Sequence, residues 1–190
     1  MPMDAKGALS EATKHVQAIE TSIAAIDGSS ARSFAAPGYG GLKACGELWA
    51  DVLSEQAALR VAEGDSEGAS RAYETALGWW PDHVAATVGL SDNLLDAYSA
   101  PPPTEPDPLN ESPKVTPTLA SLPSLTKPDI ADQVSPADLL SRLAARDRAY
   151  GLLSALTKSG QGWDCSEAWF SLARAYEESG QVEKAKEALW

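Results

Sequence analysis

Apolar residues recur every three or four positions along most of this chain, and glycine or proline marks each break in the pattern. That spacing predicts helices. Leu9, Ala12, Val16, Ile19, Ile23 and Ile26 form a narrow seam of the kind by which one helix packs on another. The seam is too short for an independent coiled coil, so it reads as the inward face of a larger array. Asp27-Gly28-Ser29-Ser30 ends that helix, and the stretch to Gly41, with Pro37, Gly38 and Gly40, reads as a loop. A new helix starts near Leu42, and its patterned part runs from about Glu47 to Glu63. Gly64-Asp65 then makes a turn. Ala69, Tyr73 and Ala76 give the next helix its face, and Pro81 stops it, because proline cannot donate a helical hydrogen bond. From Asp82 another helix carries Val84, Val88, Leu90, Leu94, Leu95 and Tyr98 as its apolar set.

The pattern resumes at Ser135-Pro136-Ala137-Asp138, with serine as a cap and proline in the first turn. Leu139, Leu140, Leu143, Ala144, Tyr150, Leu153 and Leu156 supply an apolar face, and Lys158-Ser159-Gly160 stops that helix. Trp169, Leu172, Ala173 and Tyr176 then fall at i, i+3, i+4 and i+7, one continuous stripe. Gly180 closes the helix where positive φ is needed. Ala185 is small enough to let a last helix approach closely, and Leu189 fills the groove one turn later.

These offsets resemble the tetratricopeptide repeat, a helix-turn-helix unit of about 34 residues. The final unit matches at Trp169, Leu172, Ala173, Tyr176, Gly180, Ala185 and Leu189. An earlier unit matches mainly in its second half, at Ala69, Tyr73, Ala76 and Pro81. In its first half Leu53 stands for Trp169, but Gln56 and Arg60 replace the Leu and Tyr. The helix from Asp82 resembles the first half of a third unit. The expected fold class is therefore all-α, an α-solenoid of tetratricopeptide-like antiparallel helix pairs with a Pro-rich disordered insertion. Three segments are expected: 1–100, an N-terminal helix plus tetratricopeptide-like helices; 101–137, the linker; and 138–190, the C-terminal helices. Trp190 falls inside the repeat's second helix, about one turn before the consensus would finish, which suggests either an end there or a piece of a longer chain. A bare solenoid end with Leu189 and Trp190 outward normally needs a capping helix.

The linker holds Pro101, Pro102, Pro103, Pro106, Pro108, Pro113, Pro117, Pro123, Pro128 and Pro136. That density forbids regular helix and leaves little to build a core. Ser112-Pro113, Thr116-Pro117 and Ser135-Pro136 fit proline-directed kinases, and Pro103-Thr104-Glu105-Pro106 is a PxxP. Such signals also arise by chance in a stretch of this composition. Leu119 to Leu125 is the part best suited to dock on the solenoid.

Net charge is −12, most of it in residues 1–100, while acids and bases nearly balance in 138–190. An acidic surface repels nucleic acid and anionic lipid. The acidity serves either solubility or the meeting of a basic partner. No apolar run approaches the roughly 20 residues of a membrane span, and the first residues lack the basic-then-apolar order of a signal peptide. Cys45 and Cys165 are the only cysteines. They fall in different units, which argues against a disulfide framework and fits a reducing cytosol.

Chemistry is sparse. His15 and His83 are the only histidines, and no zinc, phosphate-loop or nucleophile-elbow motif is present. His83, beside Asp82, reads as a solvated residue at a helix start. Cys165 precedes a helix whose dipole favours a thiolate, but Asp164 and Glu167 beside it oppose one. Asp164 or Ser166 reads better as a helix cap, with Asp164 to Glu167 as a capping box. Trp79-Trp80 is either core packing or an exposed hot spot for a partner. No residue is assigned a catalytic, cofactor-binding or metal-ligating role, and the chain is read as no enzyme.

A closer resemblance lies in Arg146-Asp147-Arg148-Ala149-Tyr150-Gly151-Leu152-Leu153-Ser154-Ala155-Leu156, then Gly162-Trp163-Asp164 and Ser166-Glu167-Ala168-Trp169. The run resembles the C-terminal end of the tetratricopeptide scaffold subunits of the plasma-membrane phosphatidylinositol 4-kinase complex, of the fungal cargo-transport type and its animal tetratricopeptide-domain relatives. It is close over 138–190 and looser over about 42–98. The resemblance implies a non-catalytic C-terminal lobe of a longer protein. Its partners would be a membrane-anchored helical-rod protein, the kinase and the rest of its own chain. It implies a cytoplasmic place, peripheral at the plasma membrane through partners, a link to endocytic traffic, and no cofactor. The family has no short binding motif to carry over. The competing reading is a chaperone-type adaptor that binds C-terminal peptides, gripping a carboxylate with Arg60, Asn93 and Arg174, three residues that are spread across units.

Overall fold

The computed structural model describes residues 4–27, 44–100, 136–158 and 162–190. The Pro-rich stretch up to Ser135, with its kinase dipeptides, its PxxP and Leu119–Leu125, lies outside them, as does the loop before Ala44. The described residues hold seven helices and no strand. They are α1 (Ala5–Asp27), α2 (Cys45–Ala62), α3 (Ser66–Trp79), α4 (Val84–Ser99), α5 (Pro136–Lys158), α6 (Ser166–Glu178) and α7 (Val182–Ala188).

Two turns share one construction. After α2, Gly64 takes φ 83° and its N–H donates to the Val61 carbonyl at 2.9 Å, while the Asp65 N–H donates to the Arg60 carbonyl at 2.9 Å. After α6, Gly180 takes φ 74°, its N–H donates to the Glu177 carbonyl, and the Gln181 N–H donates to the Tyr176 carbonyl, both at 2.8 Å. This pair of bonds is the Schellman motif, which satisfies the last carbonyls of a helix and needs a left-handed residue at its centre. Asp65 then caps α3, its carboxylate accepting from the Gly68 N–H at 2.9 Å. Trp80, extended before Pro81, ends the same helix.

Each helix packs on its neighbour in sequence, and α2·α4 and α4·α6 also touch. Helices α2, α4 and α6 thus lie in one row, flanked by α3 and α5. Small side chains let the row close. Ala50 and Ala57 of α2, Ala69 and Ala76 of α3 and Ala86 of α4 are fully buried around Tyr73 and Leu90. A second cluster joins Leu95 of α4 to Ala149 and Leu153 of α5 and to Leu172 and Ala175 of α6. Residues on both sides of the Pro-rich stretch therefore share one core. A third, smaller cluster sets Val16 of α1 against Cys45 and Val52 of α2.

Two apolar expectations change, in α1 and in α5. In α1, Val16 is buried but Ile19 is 42% exposed: among the described residues α1 packs mainly on α2, which leaves Ile19 facing outward. Polar links hold it instead: the Trp49 indole N–H donates to Glu20, and the Gln56 amide donates to the Thr13 hydroxyl. In α2 the fully buried face runs through Ala50 and Ala57, and Gln56 and Arg60 have polar partners rather than a place in the core. In α5, Leu139 and Leu140 are exposed, against the apolar face predicted for them. Arg142 explains why: its guanidinium donates to the Tyr98 carbonyl, with Nε at 2.9 Å, and to the Ala100 carbonyl. It thereby closes the C-terminus of α4, where a cation is favoured. The turn of α5 before it overhangs the end of α4.

Candidate interaction faces

Buried polar contacts hold the row in register. His83 is the N-cap of α4 and is buried. Its Nδ1 accepts from the Ala86 N–H at 3.1 Å, so the ring proton sits on Nε2, which lies 3.0 Å from Asp51 Oδ1 on α2. The reading of His83 as solvated is corrected: the imidazole joins two helices of the row. Asn93 is buried in α4, and its amide donates to the Ser66 carbonyl and the Ser70 hydroxyl and accepts from the Ser66 hydroxyl. Between α4 and α6, Arg174 reaches Asp96 at 2.7 Å and Ser171 bonds Asp92.

Burial pushes the Asp92 carboxyl above the usual range, against the opposing pull of Ser171 and Arg174. A carboxyl raised in this way binds its proton more tightly in the folded state. Asp92 therefore favours folding in acid, and that contribution is lost as pH rises through its folded pKa. Asp92→Asn keeps an acceptor for Ser171 without the buried charge. It is expected to raise the melting temperature at neutral pH, with the gap to the unmodified protein narrowing as pH falls. A gap that widens in acid would give the opposite sign.

The residues singled out from the sequence do not converge. Arg60 donates to the Gly68 carbonyl and lies 3.8 Å from Asp65, Asn93 is used inside the fold, and Arg174 is paired with Asp96. Trp79 stacks on Trp49 at 5.6 Å, and Trp80 packs on the first core cluster. The N-cap of α6 is Cys165, not Asp164 or Ser166, and it makes no side-chain cap bond. Glu167 instead accepts from the Ser166 hydroxyl and the Cys165 thiol. Its own backbone N–H, and then those two donors, hold its carboxyl below the usual range. The Cys45 thiol is pushed up by burial and then by Glu20, which opposes a thiolate. Among the described residues no group of three or more His, Cys, Asp or Glu is placed to hold a metal ion. No helix among them is long and apolar enough to cross a membrane.

What sequence reasoning passed over is Phe170. It stands next to Trp169 in α6 but points away from the α4–α5 side and is 66% exposed. Trp163 and Leu189 are exposed beside it, Trp169 is half-buried, and Trp163 and Trp169 meet edge to face at 5.7 Å. With Trp190 they line a cleft of about 650 Å³. A large aromatic one position from the expected stripe was the available signal. Aromatic residues gathered in an open cleft are suited to binding an apolar surface.

No family model, curated protein or solved structure matches this chain.

Proposed function

We propose that this chain is a non-catalytic scaffold lobe built of tetratricopeptide-like helix pairs. In this reading it is the C-terminal part of a protein that recruits phosphatidylinositol 4-kinase to the plasma membrane by protein–protein contacts. The observation that carries the scaffold reading is the row α2, α4, α6, with the same glycine turn after α2 and after α6. Helix pairs repeated in this way present an extended surface and bury their core only between neighbours. The kinase and its membrane anchor rest on the resemblance of 138–190, and more loosely of about 42–98, to that complex's scaffold subunits. The adaptor that grips C-terminal carboxylates is the weaker reading, because Arg60, Asn93 and Arg174 are each engaged within the fold.

A pull-down of the chain from cytosol-plus-membrane extract, at low and high salt and read by mass spectrometry, tests the reading. Recovery of a phosphatidylinositol 4-kinase or its palmitoylated anchor is the expected result. Recovery of chaperones without either would replace it with the peptide adaptor.

A further inference from the structure

Helix α6 has two apolar faces, one buried and the other covered by α7 only in part. Leu172 and Ala175 are buried toward α4 and α5. On the other side Phe170 and Leu189 are shared by two adjoining clefts, of about 650 Å³ toward Trp163 and about 450 Å³ toward Glu177 and Glu178. The fold contains its own template for what belongs there. Counted from their N-caps, His83 and Cys165, Val88 of α4 and Phe170 of α6 hold the same helical position. Val88 packs against the cluster that α6 completes with Leu172 and Ala175. Further along α4, Asp96 takes Arg174 from α6. The position of Asp96 is held in α6 by Glu178, whose carboxylate already accepts from the Ser99 hydroxyl of α4 at 2.7 Å, and that of buried Leu95 by exposed Glu177; Arg174, committed to Asp96, lines the same cleft.

We propose that the α6–α7 face docks an amphipathic helix of a partner protein, seated on α6 as α6 is seated on α4, with an apolar stripe on Phe170 and a base set against Glu177. The proposal rests on the reading of the chain as an adaptor and names the chemistry of one partner segment. Helix-in-groove recognition of this kind uses anchors at i, i+3 or i+4 and i+7. Glu177 decides between occupants. A second copy docked through the same face would set Glu177 against its own counterpart, whereas a basic helix is attracted to it.

The test uses the whole chain and two fluorescein-labelled, helix-stapled peptides with one shared leucine–alanine stripe. One peptide is flanked by lysine and arginine, the other by glutamate, and binding is read by anisotropy. The basic peptide is expected to bind and to weaken several-fold as salt rises. Phe170→Asp weakens it by about tenfold or more, as expected for an aromatic anchor. Phe170 is exposed, so circular dichroism of this variant should match that of the unmodified chain. Glu177→Lys supplies an independent check, since it should shift preference toward the acidic peptide. The proposal is overturned if neither peptide binds, if both bind alike, or if Phe170→Asp has no effect. A dimer that sedimentation shows and Phe170→Asp abolishes overturns it as well. If the basic peptide binds at Phe170 while the pull-down yields no kinase or anchor, the kinase assignment fails and the docking face stands.

Discussion

Leu95→Ala is expected to destabilise the protein by about 2–5 kcal/mol, the range for truncating a fully buried leucine that leaves a cavity. Leu95 has no exposed surface and lies where α4, α5 and α6 meet, against Ala149, Leu153 and Leu172. Two of those helices follow the Pro-rich stretch and one precedes it, so this side chain helps to hold the two halves of the chain together. For a chain of this size about 3 kcal/mol corresponds to a fall in melting temperature of roughly 6–12 °C. Leu95→Met, which nearly conserves volume, should cost less than about 1.5 kcal/mol. Thermal melts of the three proteins decide the matter. Equal melting of Leu95→Ala and Leu95→Met would mean that the three-helix junction is not closed around this residue.

His83→Ala should be the second large effect, at about 2–3 kcal/mol. Two contributions combine. Loss of the Nδ1 acceptor removes the cap of α4, worth about 1 kcal/mol. Loss of the Nε2–Asp51 contact removes a hydrogen bond to a charged group, worth about 1.5–3 kcal/mol less what Asp51 regains from water. His83→Asn separates the two, because asparagine is a good N-cap but too short to reach α2 in the same way. Urea melts should therefore place His83→Asn between His83→Ala and the unmodified protein. A double-mutant cycle with Asp51→Ala should show coupling of about 1 kcal/mol or more. Additive effects of the two changes would mean that the imidazole acts as a cap alone.

Leu95 was already read as part of the apolar set of its helix and is buried, but the role of His83 was hidden from the sequence. Asp51 lies 32 residues before His83, and nothing local to Pro81-Asp82-His83 distinguishes a buried cap from a solvated one. The same holds for Leu139 and Leu140. They continue an apolar periodicity, yet α4 ends before it can cover them, and Arg142 caps that end. Ile19 repeats the lesson on α1, where its packing on α2 leaves it exposed. The capping box predicted at Asp164 failed on a competing contact. Glu167 turned to the Ser166 hydroxyl and the Cys165 thiol instead.

The candidate face was half legible. Trp169, Leu172 and Ala173 read as one stripe; Leu189, expected to fill the groove, is exposed instead, and so is Trp190. Phe170 was passed over because it sits off the stripe, and only the equivalence of α6 with α4 gives it a role.

By itself the sequence determined the all-helical class, the helix ends near Asp27, Trp79 and Lys158, and the glycine turns at Gly64 and Gly180. Those features depend on backbone sterics, missing donors and a period of 3.6 residues, all of which act within a few positions. The tertiary structure decided which apolar residues are inside, which polar ones bridge helices, and which face of α6 is left open. Burial is a property of a residue and its spatial neighbours, and here those neighbours lie on helices whose lengths and register no local pattern encodes.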